Sequence, residues 1–115
     1  MIEYQAHLQD IGWTESVSDG EQAGTVGESR RLEALIVDSD YNLEYKAHVQ
    51  NVGWQDWVKR GEMAGTVGES LRMEAFRIKL IDAEPTKHVW YRTHIENFGW
   101  TDYAIDGDIC IISLS

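Results

Sequence analysis

The sequence predicts one all-β domain of three pseudo-symmetric repeats, a β-trefoil or a β-prism, and three observations carry that prediction. A ten-residue stretch occurs three times: Tyr4-Gln-Ala-His-Leu-Gln-Asp-Ile-Gly-Trp13, Tyr45-Lys-Ala-His-Val-Gln-Asn-Val-Gly-Trp54 and Tyr91-Arg-Thr-His-Ile-Glu-Asn-Phe-Gly-Trp100. Each copy sits in a run that alternates apolar and polar residues, the period-two signature of a strand with one buried face. Turn residues then recur at one offset, as Ser18-Asp-Gly20, Lys59-Arg-Gly61 and Ile105-Asp-Gly107. Four short strands in a repeat of about 41 residues suit the trefoil slightly better, although prism repeats overlap that length.

The chain divides into unit one (2–41), unit two (42–82), an insertion (83–87) holding Pro85, the only proline, and a shortened unit three (88–115). The first strand of each unit runs from Ile2 to Gln9, Leu43 to Gln50 and Val89 to Glu96. The Gly-Trp pair follows, where the chain is expected to leave the sheet. At the turns the glycine supplies positive φ. A second strand set, Arg31 to Val37 and Arg72 to Leu80, contains Leu-Glu-Ala or Met-Glu-Ala, which also suits a helix. The flanking glycines leave too little room for one, and β-branched residues follow, so strand is the better reading. Asp38-Ser-Asp-Tyr-Asn42 is short and turn-forming. It predicts a hairpin between the last strand of unit one and the first of unit two.

Units one and two agree at 19 of the 34 positions from Tyr4 to Val37, with Ala23-Gly-Thr-Val-Gly-Glu-Ser29 returning unchanged as Ala64 to Ser70. Unit three agrees only as far as Gly107, after which Asp108 to Ser115 replaces that block. Its segment Ile109 to Leu114 is apolar enough to stand in for a last strand.

A length of 115 residues suits a single core. Ten basic against twenty acidic side chains give a net charge of −10, which repels phosphate backbones and anionic lipid head groups. Nucleic acid and membrane surfaces are therefore poor partners, and teichoic-acid-like polyanions meet the same repulsion. The single cysteine, Cys110, permits neither an intrachain disulfide nor a cysteine metal cluster. Met1 runs straight into the first repeat without a basic, then apolar, leader, and no stretch approaches a transmembrane helix in length. The expectation is an intracellular protein or a piece of a longer exported one.

The candidate binding residues repeat with the units. Trp13, Trp54 and Trp100 at loop rims offer flat apolar faces for the C–H side of a sugar ring, or else plug the core of each lobe. His7, His48 and His94 share one position and point away from Tyr4, Tyr45 and Tyr91. Three histidines about a pseudo-threefold axis are able to converge on a metal, but a structural hydrogen bond within each lobe is the stronger reading. Gln9, Gln50 and Glu96 lie two residues on, and suit sugar hydroxyls or a turn. Glu21, Glu62 and Asp108 follow the turn glycine, and Asp19 and Asp106 precede it while Arg60 breaks the pattern. Carboxylates beside an aromatic platform accept strong bonds from vicinal hydroxyls, although an Asp-Gly turn needs no ligand. Glu33 and Glu74 are expected to pair with Arg31 and Arg72 on the second strands.

Gly-Thr-Val-Gly-Glu-Ser lacks the Gly-Lys-Ser/Thr ending of a phosphate loop, and Asp38-Ser-Asp40 is too short for a calcium loop. Catalysis needs one asymmetric constellation, whereas this chain has three near-copies of the same residues. The residues thus point to a non-catalytic binding module without a cofactor.

The combined pattern, aromatic-x-Ala-His-x-Gln-x-x-Gly-Trp followed by Gly-Glu-x-Ala-Gly-Thr-x-Gly-x-Ser-x-Arg-x-Glu-Ala, closely resembles the clostridial hydrophobic repeat with a conserved Gly-Trp, the ChW repeat. The resemblance covers residues 4–37 and 45–80 fully and 91–107 in part. It places the family's Gly-Trp on Trp13, Trp54 and Trp100, and its Ala-Gly-Thr on Ala23 to Thr25 and Ala64 to Thr66. It implies a secreted or surface module of a larger bacterial protein, attached to glycan, cell-wall polysaccharide or another protein. The leading expectation is a lectin-like module with two or three equivalent weak sites that gain from multivalency. The alternative is a protein-interaction or assembly module, with a homo-oligomer as one form of it.

Overall fold

The computed structural model describes residues 1–26, 30–95 and 98–112, and all regular structure among them is β. Unit one supplies β1 (Ile2–Leu8), β2 (Gly12–Trp13), β3 (Val17–Ser18) and β4 (Leu32–Ser39). Unit two supplies β5 (Leu43–Val49), β6 (Gly53–Trp54), β7 (Val58–Lys59), β8 (Met63–Gly65) and β9 (Met73–Leu80). Unit three supplies only short pieces, β10 (Trp90–Tyr91), β11 (His94–Ile95), β12 (Gly99–Trp100), β13 (Ala104–Ile105) and β14 (Cys110–Ile111). The Leu-Glu-Ala and Met-Glu-Ala segments are strands, as their flanking residues predict.

Two five-stranded sheets dominate. One runs β2-β1-β4-β8 with β3 also on β1, the other β14-β9-β5-β6 with β7 also on β5, and none of the sheets closes. The first strand of each complete unit pairs antiparallel with its long second strand, Tyr4 opposite Val37 and Tyr45 opposite Ile78. Alternation decides which residues go inward. Leu43, Tyr45, Ala47 and Val49 are fully buried or nearly so, while Glu44, Lys46 and His48 between them are only half-buried. With Leu35, Val37, Met73, Phe76, Ile78 and Tyr91 they make one core across the units.

The tyrosine that opens each repeat also locks a turn. The hydroxyls of Tyr4, Tyr45 and Tyr91 donate to the backbone carbonyls of Glu21, Glu62 and Asp108, and that of Tyr45 accepts the Val37 N–H at 3.1 Å. The turns have the predicted form. Glu21, Glu62 and Asp108 each donate an N–H to the carbonyl three residues back, with Gly20, Gly61 and Gly107 at positive φ.

Three expectations are corrected. Gly-Trp does not leave the sheet: it folds back as a two-residue strand on the end of the first, His7 opposite Trp13 and His48 opposite Trp54. No hairpin joins β4 to β5, because both edges of β4 are already taken by β1 and β8, so β5 begins a second sheet. The segment after Asp108 does not replace the last strand of unit three. Its β14 pairs instead with β9 of unit two, Cys110 opposite Phe76, just as β8 pairs with β4, Ala64 opposite Leu35. Leu114 and the block residues 27–29 lie outside the described residues.

The turns at Gly61 and Gly107 therefore hand the next short strand to the preceding unit's sheet. The crossing is close: a Cβ on Gly65 would lie 2.3 Å from the Glu33 carbonyl oxygen, so only glycine, here at φ +95°, fits.

Candidate functional site

The Gly-Trp hairpin and a bulge in the second strand build the same cluster twice. Because His7 and Trp13 are directly opposed on antiparallel strands, their side chains share one face. The rings meet edge to face at 5.2 Å, and the pairs His48–Trp54 and His94–Trp100 repeat this at 5.2 and 5.4 Å. On the other side the register jumps from His7 opposite Ala34 to Leu8 opposite Leu32, which leaves Glu33 as the extra residue of a β-bulge. The bulge turns its carboxylate to the histidine. His7 Nδ1–H donates to Glu33 Oε1 at 3.0 Å, and Arg31 Nε–H to Glu33 Oε2 at 2.8 Å. In unit two His48 Nδ1–H donates to Glu74 Oε1 at 3.1 Å, and Arg72 reaches Glu74 Oε2 through Nη2 at 3.4 Å. The predicted Glu–Arg pairs are present, and histidine is their third member.

The indoles are not core plugs. Trp13 is 36% exposed, Trp54 38% and Trp100 45%. In unit two the ring has company that the repeat pattern concealed: Trp57, half-buried on the same outer face, replaces Ser16 of unit one and corresponds to Tyr103 of unit three. Lys46 Nζ stands over both rings, 5.3 Å from Trp54 and 4.8 Å from Trp57. Lys79 Nζ lies 4.1 Å from the Trp57 centroid and the Arg77 guanidinium 5.4 Å. Unit three has a smaller version, with the Arg92 guanidinium 5.0 Å from Trp100 and 4.6 Å from Tyr103. Unit one, with Gln5 and Ser16 at these positions, has neither cation nor second ring. Six of the ten basic residues lie in unit two, so its outer face escapes the acidity of the rest.

The acidic candidates occupy the other end of the strand. Asp19 Oδ1 accepts the Ile2 N–H at 2.8 Å, and Asp106 Oδ1 the Val89 N–H at 2.8 Å. Glu21 and Glu62 accept the N–H of Ser18 and Lys59 within their own turns, at 3.0 and 2.7 Å. The expected neighbourhood of carboxylate and indole is thus corrected. Ile2 and His7 are five residues apart on one strand, about 17 Å at about 3.3 Å per residue. Asp108 likewise sits at the turn end, beside the carbonyl that holds Tyr91. The Val89 N–H, and then His88, hold the Asp106 carboxyl below its ordinary range.

The glutamines serve the backbone: Gln9 Oε1 accepts the Arg31 N–H at 3.4 Å and Gln50 Oε1 the Arg72 N–H at 3.3 Å. Glu96 lies outside the described residues. Among the described residues no group of three His, Cys, Asp or Glu side chains is placed to hold a metal ion. Cys110 is buried near the hydroxyls of Thr93 and Thr101, and burial pushes its thiol up.

Fold and cluster together define an all-β repeat protein whose Gly-Trp hairpins present partly exposed indoles, each braced by a histidine. The family model described as Clostridial hydrophobic W (ChW) matches residues 7–37 and 48–82, more than half of the chain. The chain belongs to the ChW family. No curated protein and no solved structure matches it.

Proposed function

We propose that this chain is a non-catalytic carbohydrate- or cell-wall-binding module whose ligand sits on the outer faces of units two and three. The observation that carries the reading is the Trp54–Trp57 platform with Lys46 over both rings, repeated as Trp100–Tyr103 with Arg92. An exposed aromatic face takes the C–H side of a sugar ring, and an adjacent cation favours a sugar bearing a carboxylate over a neutral one. Unit one keeps only Trp13 and is the weakest site. The His–Glu–Arg cluster fixes the indole and is a positioning device, and the turn carboxylates contribute to the fold rather than to the ligand. Two shallow sites of this kind bind weakly one at a time, so the module works by avidity on a polymer. The ChW repeats support a place on a secreted or surface protein, and the recurrence of β1-β4-β8 as β5-β9-β14 supports a three-lobed fold, trefoil ahead of prism.

The test is calorimetry and co-sedimentation with purified wall polysaccharide, using Trp57→Ala, Trp54→Ala and Trp13→Ala. Loss of an aromatic contact worth about 1 kcal/mol lowers affinity roughly fivefold in the unit-two variants and leaves Trp13→Ala near wild type. Equal binding by all three folded variants would remove the platform. A second reading, a protein-interaction module, is favoured by the exposed apolar side chains of unit three, Trp90, Phe98 and Tyr103.

A further inference from the structure

Resting on the glycan reading, we propose that the outer face of unit two selects a phosphate monoester borne by the sugar, seated among Lys46, Arg77 and Lys79 beside the Trp57 ring. Four positions on that face depart together from the repeat. Where unit one has Gln5, Ser16, Ile36 and Asp38, unit two has Lys46, Trp57, Arg77 and Lys79. The strand register groups the cations, with Lys46 opposite Arg77 and Glu44 opposite Lys79. In unit one the same register sets Gln5 opposite Ile36 and Glu3 opposite Asp38. A neutral and acidic face in one unit is thus a cationic one in the next, within a chain of net charge −10.

The cluster is short of counter-charge. Like charges directly opposite each other on paired strands destabilise a sheet, and Lys46 faces Arg77 in this way. Among the described residues Lys79 alone of the three cations has a carboxylate partner, Glu44 at 3.8 Å. Yet all three approach one ring: Lys79 Nζ lies 4.1 Å and Lys46 Nζ 4.8 Å from the Trp57 centroid, and the Arg77 guanidinium 5.4 Å. Contact with the indole offsets part of their repulsion but brings no negative charge, so an excess of two positive charges remains beside the single Glu44. Arg77 is also fixed in place. Its Nε–H donates to the Gly107 carbonyl at 2.6 Å, which leaves the two Nη groups to meet a ligand.

The count of charges specifies the ligand. A phosphate monoester carries about −1.5 to −2 at pH 7 and three strong acceptor oxygens, enough to meet two ammonium groups and the edge of a guanidinium together. A carboxylate brings one charge and two oxygens, which suits the Arg92 guanidinium over Trp100 and Tyr103 in unit three. The two platforms therefore differ in the acidic group they read, with the phosphorylated sugar on unit two and the carboxylated one on unit three. The overall negative charge does not oppose this. Exposed charges more than about 10 Å away are largely screened at 0.1 M salt, so the local excess decides.

The experiment titrates glucose 6-phosphate, glucuronate, glucose and inorganic phosphate into the isotope-labelled 115-residue chain and follows indole and backbone N–H resonances. The expected result is saturable shifts at Lys46, Trp57, Arg77 and Lys79, with glucose 6-phosphate bound about tenfold more tightly there than glucuronate. Lys46→Gln or Arg77→Gln removes that preference and Lys46→Arg keeps it, while Lys87→Gln, which deletes a cation outside the cluster, leaves it unchanged. Inorganic phosphate shifts the same residues but binds more weakly, because it lacks the sugar ring that stacks on the indole. Glucuronate bound at unit two as tightly as glucose 6-phosphate would overturn the phosphate assignment and leave the glycan reading standing. Inorganic phosphate bound as tightly as the sugar phosphate would overturn the placement of that group on a sugar. Failure of every sugar to move Trp54, Trp57 and Trp100 would overturn the glycan reading and this one with it.

Discussion

Replacing the two bulge glutamates by alanine tests whether the cluster beneath each indole is what braces it, and the two copies predict different losses. Glu33 is 6% exposed and spends both oxygens on charged or chargeable partners, at 3.0 Å to His7 and 2.8 Å to Arg31. Each such bond is worth about 1.5–3 kcal/mol, and rehydration of the freed Arg31, whose side chain is 30% exposed, recovers part of it. Glu33→Ala should therefore cost about 2–4 kcal/mol. Glu74 has longer bonds, 3.1 and 3.4 Å, and sits among more exposed partners, so Glu74→Ala should cost about 1–2 kcal/mol. At about 4 °C per kcal/mol for a chain of this size, calorimetry reads the difference as a drop in Tm of about 8–16 °C against about 4–8 °C. Urea unfolding followed by indole fluorescence gives an independent value. A loss for Glu74→Ala equal to or above that for Glu33→Ala, or a Glu33→Ala protein as stable as wild type, would refute the reasoning.

Tyr45→Phe leaves the Glu62 carbonyl and the Val37 N–H without their buried partner, and should cost about 1–3 kcal/mol in urea unfolding. Gly65→Ala drives a Cβ into the Glu33 carbonyl oxygen and should prevent folding or lower Tm by more than 10 °C, about 2.5 kcal/mol or more, whereas Gly24→Ala meets only backbone strain of about 1–2 kcal/mol. Burial raises the hydroxyls of Tyr4, Tyr45 and Tyr91 above the ordinary value of 10.0, so the unfolded chain ionises first. Their stabilisation is complete below pH 10 and is lost as pH rises through the folded-state values; pH-jump unfolding should show the loss shrink in Tyr45→Phe. Asp106 works in the opposite sense. Its folded value lies below 3.8, so its contribution is present above that pH and is lost as pH falls further, a loss that Asp106→Asn should lack.

The strands, the turn glycines and the Glu–Arg pairs were legible because each depends on residues close in sequence: alternation, Asp-Gly, and Arg31 two positions from Glu33. The hand-over of β8 to β4 was not. Met63-Ala-Gly65 is too short to read as a strand, and its partner Leu35 lies 29 residues earlier in the chain. The absence of a β4–β5 hairpin follows from that same hidden pairing. At the site, the repeat drew attention to what the units share, and Trp57 was missed because Ser16 and Tyr103 stand at its equivalents. Departure from the repeat was itself the signal. The turn carboxylates were misplaced for the converse reason: Asp19 and Asp106 repeat because each caps the first N–H of its strand.

The most direct test of the central claim is a titration of the five indole N–H resonances with acidic and neutral wall oligosaccharides. Saturable shifts confined to Trp54, Trp57 and Trp100, larger for the acidic sugars, with Trp13 nearly still, are the predicted result. Five unmoved indoles across the series, or equal shifts in Trp13, would contradict it.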